Sequence, residues 1–270
     1  MSYSCPLCFQ ALNLEQRMFR CSNNHCFDIA KEGYINLMPV QHKRSREPGD
    51  NKEMMQARRL FLEQNHYQAM QKKVSSLCNK LLVDSHYRIL DIGCGEGYYT
   101  SAIADSIQNP VHHVYGLDIS KVAIRYAAKR YNNCSFSVAS SHRLPFTDKS
   151  LDAIVRIYAP CSPNEMARVL DDQGLVVTVT PGSRHLIQLR QEIYREVKLH
   201  NETEEELPGF TLEREESLNY MMHLTGPDSC HLLQMTPFAW KATQELWDKL
   251  KNVEHYECEA HFIIRVYRKQ

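Results

Sequence analysis

The 270-residue chain carries 32 basic and 32 acidic side chains, so no global field draws it towards nucleic acid or an anionic membrane, and any polyanion site must be a local patch. With 43% hydrophobic residues it can bury one large core and one small one. No apolar run approaches the length of a bilayer span and Met1–Gln10 lacks the layout of a signal peptide, which excludes membrane classes and makes a cytoplasmic location the expectation.

The ten cysteines are uneven: four fall between Cys5 and Cys26, and six stand singly at 78, 94, 134, 161, 230 and 258. In a reducing compartment, clustered cysteines point to metal and scattered ones to buried thiols. The cluster reads Cys5-Pro6-Leu7-Cys8, twelve residues, then Cys21-Ser22-Asn23-Asn24-His25-Cys26. Two close pairs brought together across a hairpin complete a tetrahedron, the spacing of a zinc knuckle or ribbon. Cys21 can be joined by His25 or by Cys26, and the spacing leaves both open. A redox CxxC is disfavoured because no βαβ unit surrounds it. Residues 1–38 have too little apolar area to fold alone, so a structural zinc, one per chain with no open position, is expected to supply their folding free energy.

Met38 to Asp50 combines prolines, a glycine and a short basic run without apolar period, which sets a boundary near residue 40. Residues 39–84 then read as a linker followed by a helical segment. Its run His42-Lys43-Arg44-Ser45-Arg46 can touch phosphates, although short charge runs are usually solvated faces. From Asn51 to Leu82 the apolar spacing predicts two helices broken near Asn65-His66.

Tyr87–Ile92 is a buried-strand candidate that runs into Gly93-Cys94-Gly95-Glu96-Gly97 and a helix from Tyr98 to about Ile107. Glycines let the backbone turn tightly against a ligand, and the following helix offers free N–H groups. A second strand, His113–Asp118, ends in an acid 21 residues beyond Gly97, placed to accept bonds from ribose hydroxyls. A dinucleotide fingerprint would be G-x-G-x-x-G; G-x-G-x-G preceded by Asp91 instead resembles motif I of class I S-adenosylmethionine-dependent methyltransferases. A nucleotide-dependent oxidoreductase is the competing reading of this turn.

The alternation continues: helix Lys121–Tyr131, strand Cys134–Ala139, strand Leu151–Ile157, helix Pro163–Leu170, strand Gly174–Thr180 and helix His185–His200. A strand over Gly209–Leu224, a helix over Thr236–Lys251 and a strand over Tyr256–Tyr267 suit the antiparallel hairpin that closes such a sheet. The predicted fold class is α/β, a Rossmann-like, mostly parallel seven-stranded methyltransferase sheet over 85–270 behind a small N-terminal zinc-ribbon or knuckle domain.

The whole chain resembles the bacterial 23S ribosomal RNA (guanine-N1)-methyltransferases. The stretches that carry the resemblance are Ser4–Cys8, Ala30–Tyr34, Leu37–Asp50, Glu53–Arg59, Asp91–Thr100, Ala139–Phe146 and Arg156–Cys161. It implies zinc on Cys5, Cys8, Cys21 and His25, with Cys26 spare. It also implies S-adenosyl-L-methionine contacts at Tyr67, Gly95-Glu96, Asp118 and His185, joined by Asp91, Gly93 and Gly97 of the motif. The implied partners are a 23S rRNA hairpin, whose target guanine must be unstacked to expose its Watson–Crick edge, and a second copy of the chain in a homodimer. Guanine N1 carries a proton that must leave; His185 and a nearby acid are candidate bases, and neither is assigned. Many class relatives place an acid before Leu-Pro-Phe to meet the adenine amine, whereas here Ala139-Ser140-Ser141-His142-Arg143 precedes Leu144-Pro145-Phe146. A methyltransferase acting on a small molecule or another RNA is the alternative.

Overall fold

The computed structural model describes residues 3–39, 51–81, 87–107 and 112–270; the basic run His42–Arg46 lies outside them. Three short antiparallel strands, β1 (Asn13–Glu15), β2 (Met18–Arg20) and β3 (Cys26–Asp28), form the first sheet. The chain then enters β4 (Ile35–Asn36), α1 (Lys52–Glu63) and α2 (Gln68–Leu81). The break between the helices falls where Asn65 takes a left-handed φ of 63°. Asn51 caps α1, its side chain accepting from Met54 N at 2.8 Å.

Next come β5 (Arg88–Ile92), α3 (Tyr98–Ser106), β6 (His113–Asp118), α4 (Lys121–Arg130), β7 (Ser135–Val138), β8 (Leu151–Ile157), α5 (Pro163–Val169) and β9 (Leu170–Pro181). The chain finishes through α6 (Ile187–Ile193), β10 (Phe210–Leu224), α7 (Gly226–Gln234), α8 (Gln244–Asn252) and β11 (Tyr256–Lys269). Among the described residues the large sheet has eight strands in the order β10-β11-β9-β8-β5-β6-β7-β4. The pairs from β4 to β9 are parallel, and β11 is antiparallel to both β9 and β10. Seven of the strands are those expected, and β4, from the N-terminal segment, adds an eighth beside β7.

Two helical expectations are corrected and one helix is new. The helix expected over His185–His200 shrinks to α6, because Leu186 enters it at a left-handed φ of 53° and Tyr194 leaves it extended. The helix expected over Thr236–Lys251 divides into a short 3-10 turn at Pro237–Lys241 and α8, which Thr243 caps by accepting from Leu246 N at 3.3 Å. Helix α7 was not foreseen; Thr225 caps it and Pro227 occupies its first turn, where a missing N–H costs nothing.

Alternate residues of β5 feed two cores. Ile89 packs with Phe61, Met70, Val74 and Ile103 under α1, α2 and α3. Leu90 and Ile92 pack on the other face with Phe146, Met166 and Val169, and also with Tyr3, Leu12 and Phe19 of the N-terminal segment. Tyr3 meets Phe19 and Tyr115 edge-on at 5.6 and 5.4 Å, and Ser4 N donates to Pro145 O at 3.0 Å. The N-terminal segment is thus packed against the large sheet and joined to it through β4.

The chain leaves β5 for β6 and β7 on one side and returns to β8 and β9 on the other, so a crevice opens at the carboxyl ends of β5 and β8. Gly116 of β6 matters to it: a Cβ there would lie 2.6 Å from Phe136 and 2.9 Å from Cys94 Sγ. Gly116→Ala is therefore expected to cost about 1–3 kcal/mol by overpacking. Urea denaturation measures that loss, and unchanged stability would mean that Phe136 and Cys94 can yield.

Candidate functional site

The turn after β5 is held from behind. Gly93 N and Cys94 N both donate to Leu117 O, at 2.8 and 3.0 Å, and Gly95 N donates to Asp118 Oδ2 at 3.0 Å. Gly93 has φ +72° and a Cβ on it would meet Ala159 Cβ at 2.6 Å, so this turn lies directly against the loop that follows β8. Gly95 and Gly97 are also left-handed, at φ +54° and +82°. Asp118, at the end of β6, spends Oδ1 on Ser120 N at 2.7 Å and sits beside the turn. Arg59 of α1 grips Glu96 in a bidentate pair at 2.6 and 2.7 Å and lies 4.0 Å over Tyr126, which ties α1 to the rim.

Asp91 faces inward, 1% exposed, and accepts from Thr100 Oγ1 at 2.6 Å. Burial, opposed by that hydrogen bond and reinforced by the charge of Asp118, pushes its carboxyl up to about 7. Glu165 of α5 accepts from Leu144 N at 2.7 Å and pairs with Arg168, while Arg143 lies 4.2 Å over Phe9.

Two sequence-predicted residues from distant segments meet on the far side of the crevice. The rings of Tyr67, at the start of α2, and His185, before α6, are 6.2 Å apart, and both pack on Phe262 of β11 at 5.1 and 4.9 Å. His185 is 8% exposed, and its Nδ1 accepts from His261 N at 3.2 Å. Burial, with nearby His200, pushes its pKa down to about 3, so the ring is neutral. A backbone N–H only donates, so the single proton of that ring is on Nε2 and no lone pair remains to act as a base. Sequence reasoning missed Tyr158, whose hydroxyl lies 3.4 Å from that Nε2. Its signal was position: it directly follows β8 at the carboxyl edge of the sheet, where ligands of α/β folds bind. Tyr158 and Leu186 are both left-handed, at φ 57° and 53°. Such conformations cost roughly 1–2 kcal/mol each.

The N-terminal donor atoms of Cys5, Cys8, Cys21 and His25 all lie within 4.8 Å of one another. His25 Nδ1 is 3.4 Å from both Cys5 and Cys21 sulfurs, and Cys8 and Cys21 sulfurs are 3.6 Å apart. These are edges of a tetrahedron around an ion ~2.0–2.3 Å from each donor, so the set fits a closed structural zinc. Asn24, at φ 61°, reverses the chain and turns His25 inward, while Cys26 is exposed with its thiol directed at Asn24 O. The open question of the fourth ligand is decided for His25.

Crevice, glycine turn and acid-ended strands define a class I S-adenosylmethionine-dependent methyltransferase, and comparison with known proteins agrees. Residues 83–256 match a family described as a methyltransferase domain, and residues 3–46 match one described as RlmA, N-terminal, a zinc ribbon. The chain is 28% identical over 242 residues to a 23S rRNA (guanine(748)-N(1))-methyltransferase of Streptomyces fradiae, covering 87% of this chain and 85% of that one. It is 31% identical over 203 residues to a Micromonospora griseorubida protein provisionally named a 23S rRNA (guanine-N(1)-)-methyltransferase, covering 68% and 67%. A solved chain from the complex of the Haloferax volcanii Trm112 methyltransferase activator shares the fold, at a TM-score of 0.51 and 18% identity, covering 82% of this chain and 99% of that one. The chain belongs to the zinc-ribbon family of 23S rRNA (guanine-N1)-methyltransferases.

Two expectations follow. His25→Ala should lose the metal while Cys26→Ser keeps one zinc per chain, as read by metal analysis of the purified proteins; the reverse pattern would reinstate Cys26. For Asp91, a carboxyl raised in the fold keeps a proton that the unfolded chain has lost, so its burial lowers stability progressively from about pH 4 to about pH 7. Asp91→Asn should therefore gain stability on the wild type between those values, and parallel denaturation curves across that range would contradict the assignment.

Proposed function

We propose that this chain transfers a methyl group from S-adenosylmethionine to N1 of a guanine exposed in a hairpin of 23S ribosomal RNA. What carries the reading is the bonding of a zinc ribbon into the sheet of a methyltransferase crevice, in a chain aligned over most of its length with relatives bearing that name. The cofactor supplies an electrophilic methyl when bound. Asp118 would accept from its ribose hydroxyls, the Gly93–Gly97 turn would admit its backbone-side atoms closely, with Asp91 bracing the turn from within, and Glu96, Tyr67 and His185 would line the remaining wall. The protein acts chiefly by positioning, which can supply several kcal/mol of the barrier without a strong base.

The ribbon is assigned to the RNA. Its rim carries exposed Leu7 and Phe9, and the sequence holds the basic run His42–Arg46, local positive charge suited to phosphates in an otherwise neutral protein. A homodimer whose cleft takes the hairpin, and a cytoplasmic location beside the ribosomal substrate, complete the proposal. Among the described residues no helix is long and apolar enough to cross a membrane.

Labelled methyl transfer to 23S RNA from cells lacking this protein is the direct test, with the product nucleoside identified by mass spectrometry. The expected product is 1-methylguanosine confined to one hairpin; turnover of free metabolites with no RNA incorporation would move the assignment to a small-molecule substrate. Asp118→Ala should weaken cofactor binding roughly 10- to 100-fold and keep RNA binding, as titration calorimetry and gel shift would report.

A further inference from the structure

Resting on that reading of the substrate, we infer that Tyr158 is a catalytic residue that donates a hydrogen bond to O6 of the target guanine, oriented by a relay running from His261 N through His185. The relay has a fixed direction. His261 N is an obligate donor and holds His185 Nδ1 at 3.2 Å, so His185 presents Nε2–H to the Tyr158 oxygen at 3.4 Å. With its oxygen accepting from His185 Nε2–H, Tyr158 keeps its own O–H to donate to a further acceptor. Burial of the hydroxyl among neighbouring tyrosines pushes its pKa up, so that proton is retained.

The location fits a substrate contact. The residue is 49% exposed, unlike the buried Tyr67 and His185 beside it, so a ring is offered to an incoming base while the hydroxyl stays held. Its neighbour Ala159 abuts Gly93 of the glycine turn, which places the loop against the cofactor crevice. Left-handed backbone occurs at Tyr158 and at Leu186, the positions that deliver the two halves of the relay, and strain retained at such points is a mark of functional sites.

The chemistry gives the hydrogen bond its use. The N1–H bond breaks and its proton passes to water; N1 uses the released pair to bond the methyl carbon, whose bond to sulfur breaks with the pair remaining on sulfur. As N1 loses its proton, negative charge spreads onto O6, where a preorganised donor stabilises it. Tyr158 keeps its proton throughout. Adenine carries an amino group in place of O6, so the same donor faces a donor and adenine is rejected.

Tyr158→Phe removes only the O–H. The titratable groups facing it are His185, Tyr67, Tyr99 of α3 and Tyr220 of β10. With the histidine pushed down and the tyrosines pushed up, none of them changes charge between about pH 6 and 9. Single-turnover methylation of the RNA hairpin by this variant is expected to be roughly a hundredfold slower at neutral pH. Cofactor affinity and RNA affinity should be unchanged, Tm should fall slightly because the buried Nε2–H of His185 loses its acceptor, and the rate deficit should narrow as rising pH ionises N1 without help. A rate within twofold of wild type, or a deficit of constant size across pH, would overturn the inference, the latter because a merely structural role has no reason to follow N1. Wild-type protein that forms no 1-methylguanosine would overturn the substrate reading, and this inference with it.

Discussion

The functional half of the molecule depends on how the turn after β5 is clamped to the end of β6. One carbonyl, Leu117 O, takes the amides of both Gly93 and Cys94, and the carboxylate of Asp118 takes the next, Gly95. The clamp requires close approach twice over: Gly116 leaves room for Cys94 and Phe136 behind the turn, and Gly93 leaves room for Ala159 in front. A side chain at either point would separate the glycine turn from Asp118 or from the loop bearing Tyr158, and the crevice would lose one wall.

The N-terminal ribbon extends that framework. It has little core of its own and depends on an ion that in comparable small modules contributes roughly 10–16 kcal/mol. What it does bury, Tyr3, Leu12 and Phe19, joins the core of the large sheet beneath Phe146. Tyr34 and Met38 pack with Cys94 of the glycine turn and with Phe136, and Glu32 pairs with Arg125 of α4 at 2.8 Å. Zinc, ribbon and crevice are therefore mechanically continuous, which suits an enzyme that must hold a macromolecule and a small cofactor in one register.

Electrostatics on the far wall are set by exclusion of charge. Tyr67, His185 and Phe262 form a largely apolar lining in which the one histidine is neutral and its two nitrogens are committed. A wall of this kind does not compete for a proton; it fixes the direction of hydrogen bonds, and transition-state charge is better met by fixed dipoles than by groups that must reorganise.

By itself the sequence determined whatever depends on short-range spacing. The paired cysteines announced a tetrahedral metal site, the glycine turn between two acid-ended strands announced its ligand, and apolar periodicity placed most strands within a residue or two. Tertiary structure decided what depends on direction and on distant partners. A left-handed Asn24 chose His25 over Cys26, and a two-residue strand too short to show any period became the eighth strand by pairing with β7. Helix α6 stopped before Tyr194, and a tyrosine to which its stretch of sequence gave no role was brought to a histidine 27 residues away. Periodicity reports which face of an element is apolar, whereas the direction of a side chain at a left-handed residue, and the donor it meets, follow only once the whole sheet has closed.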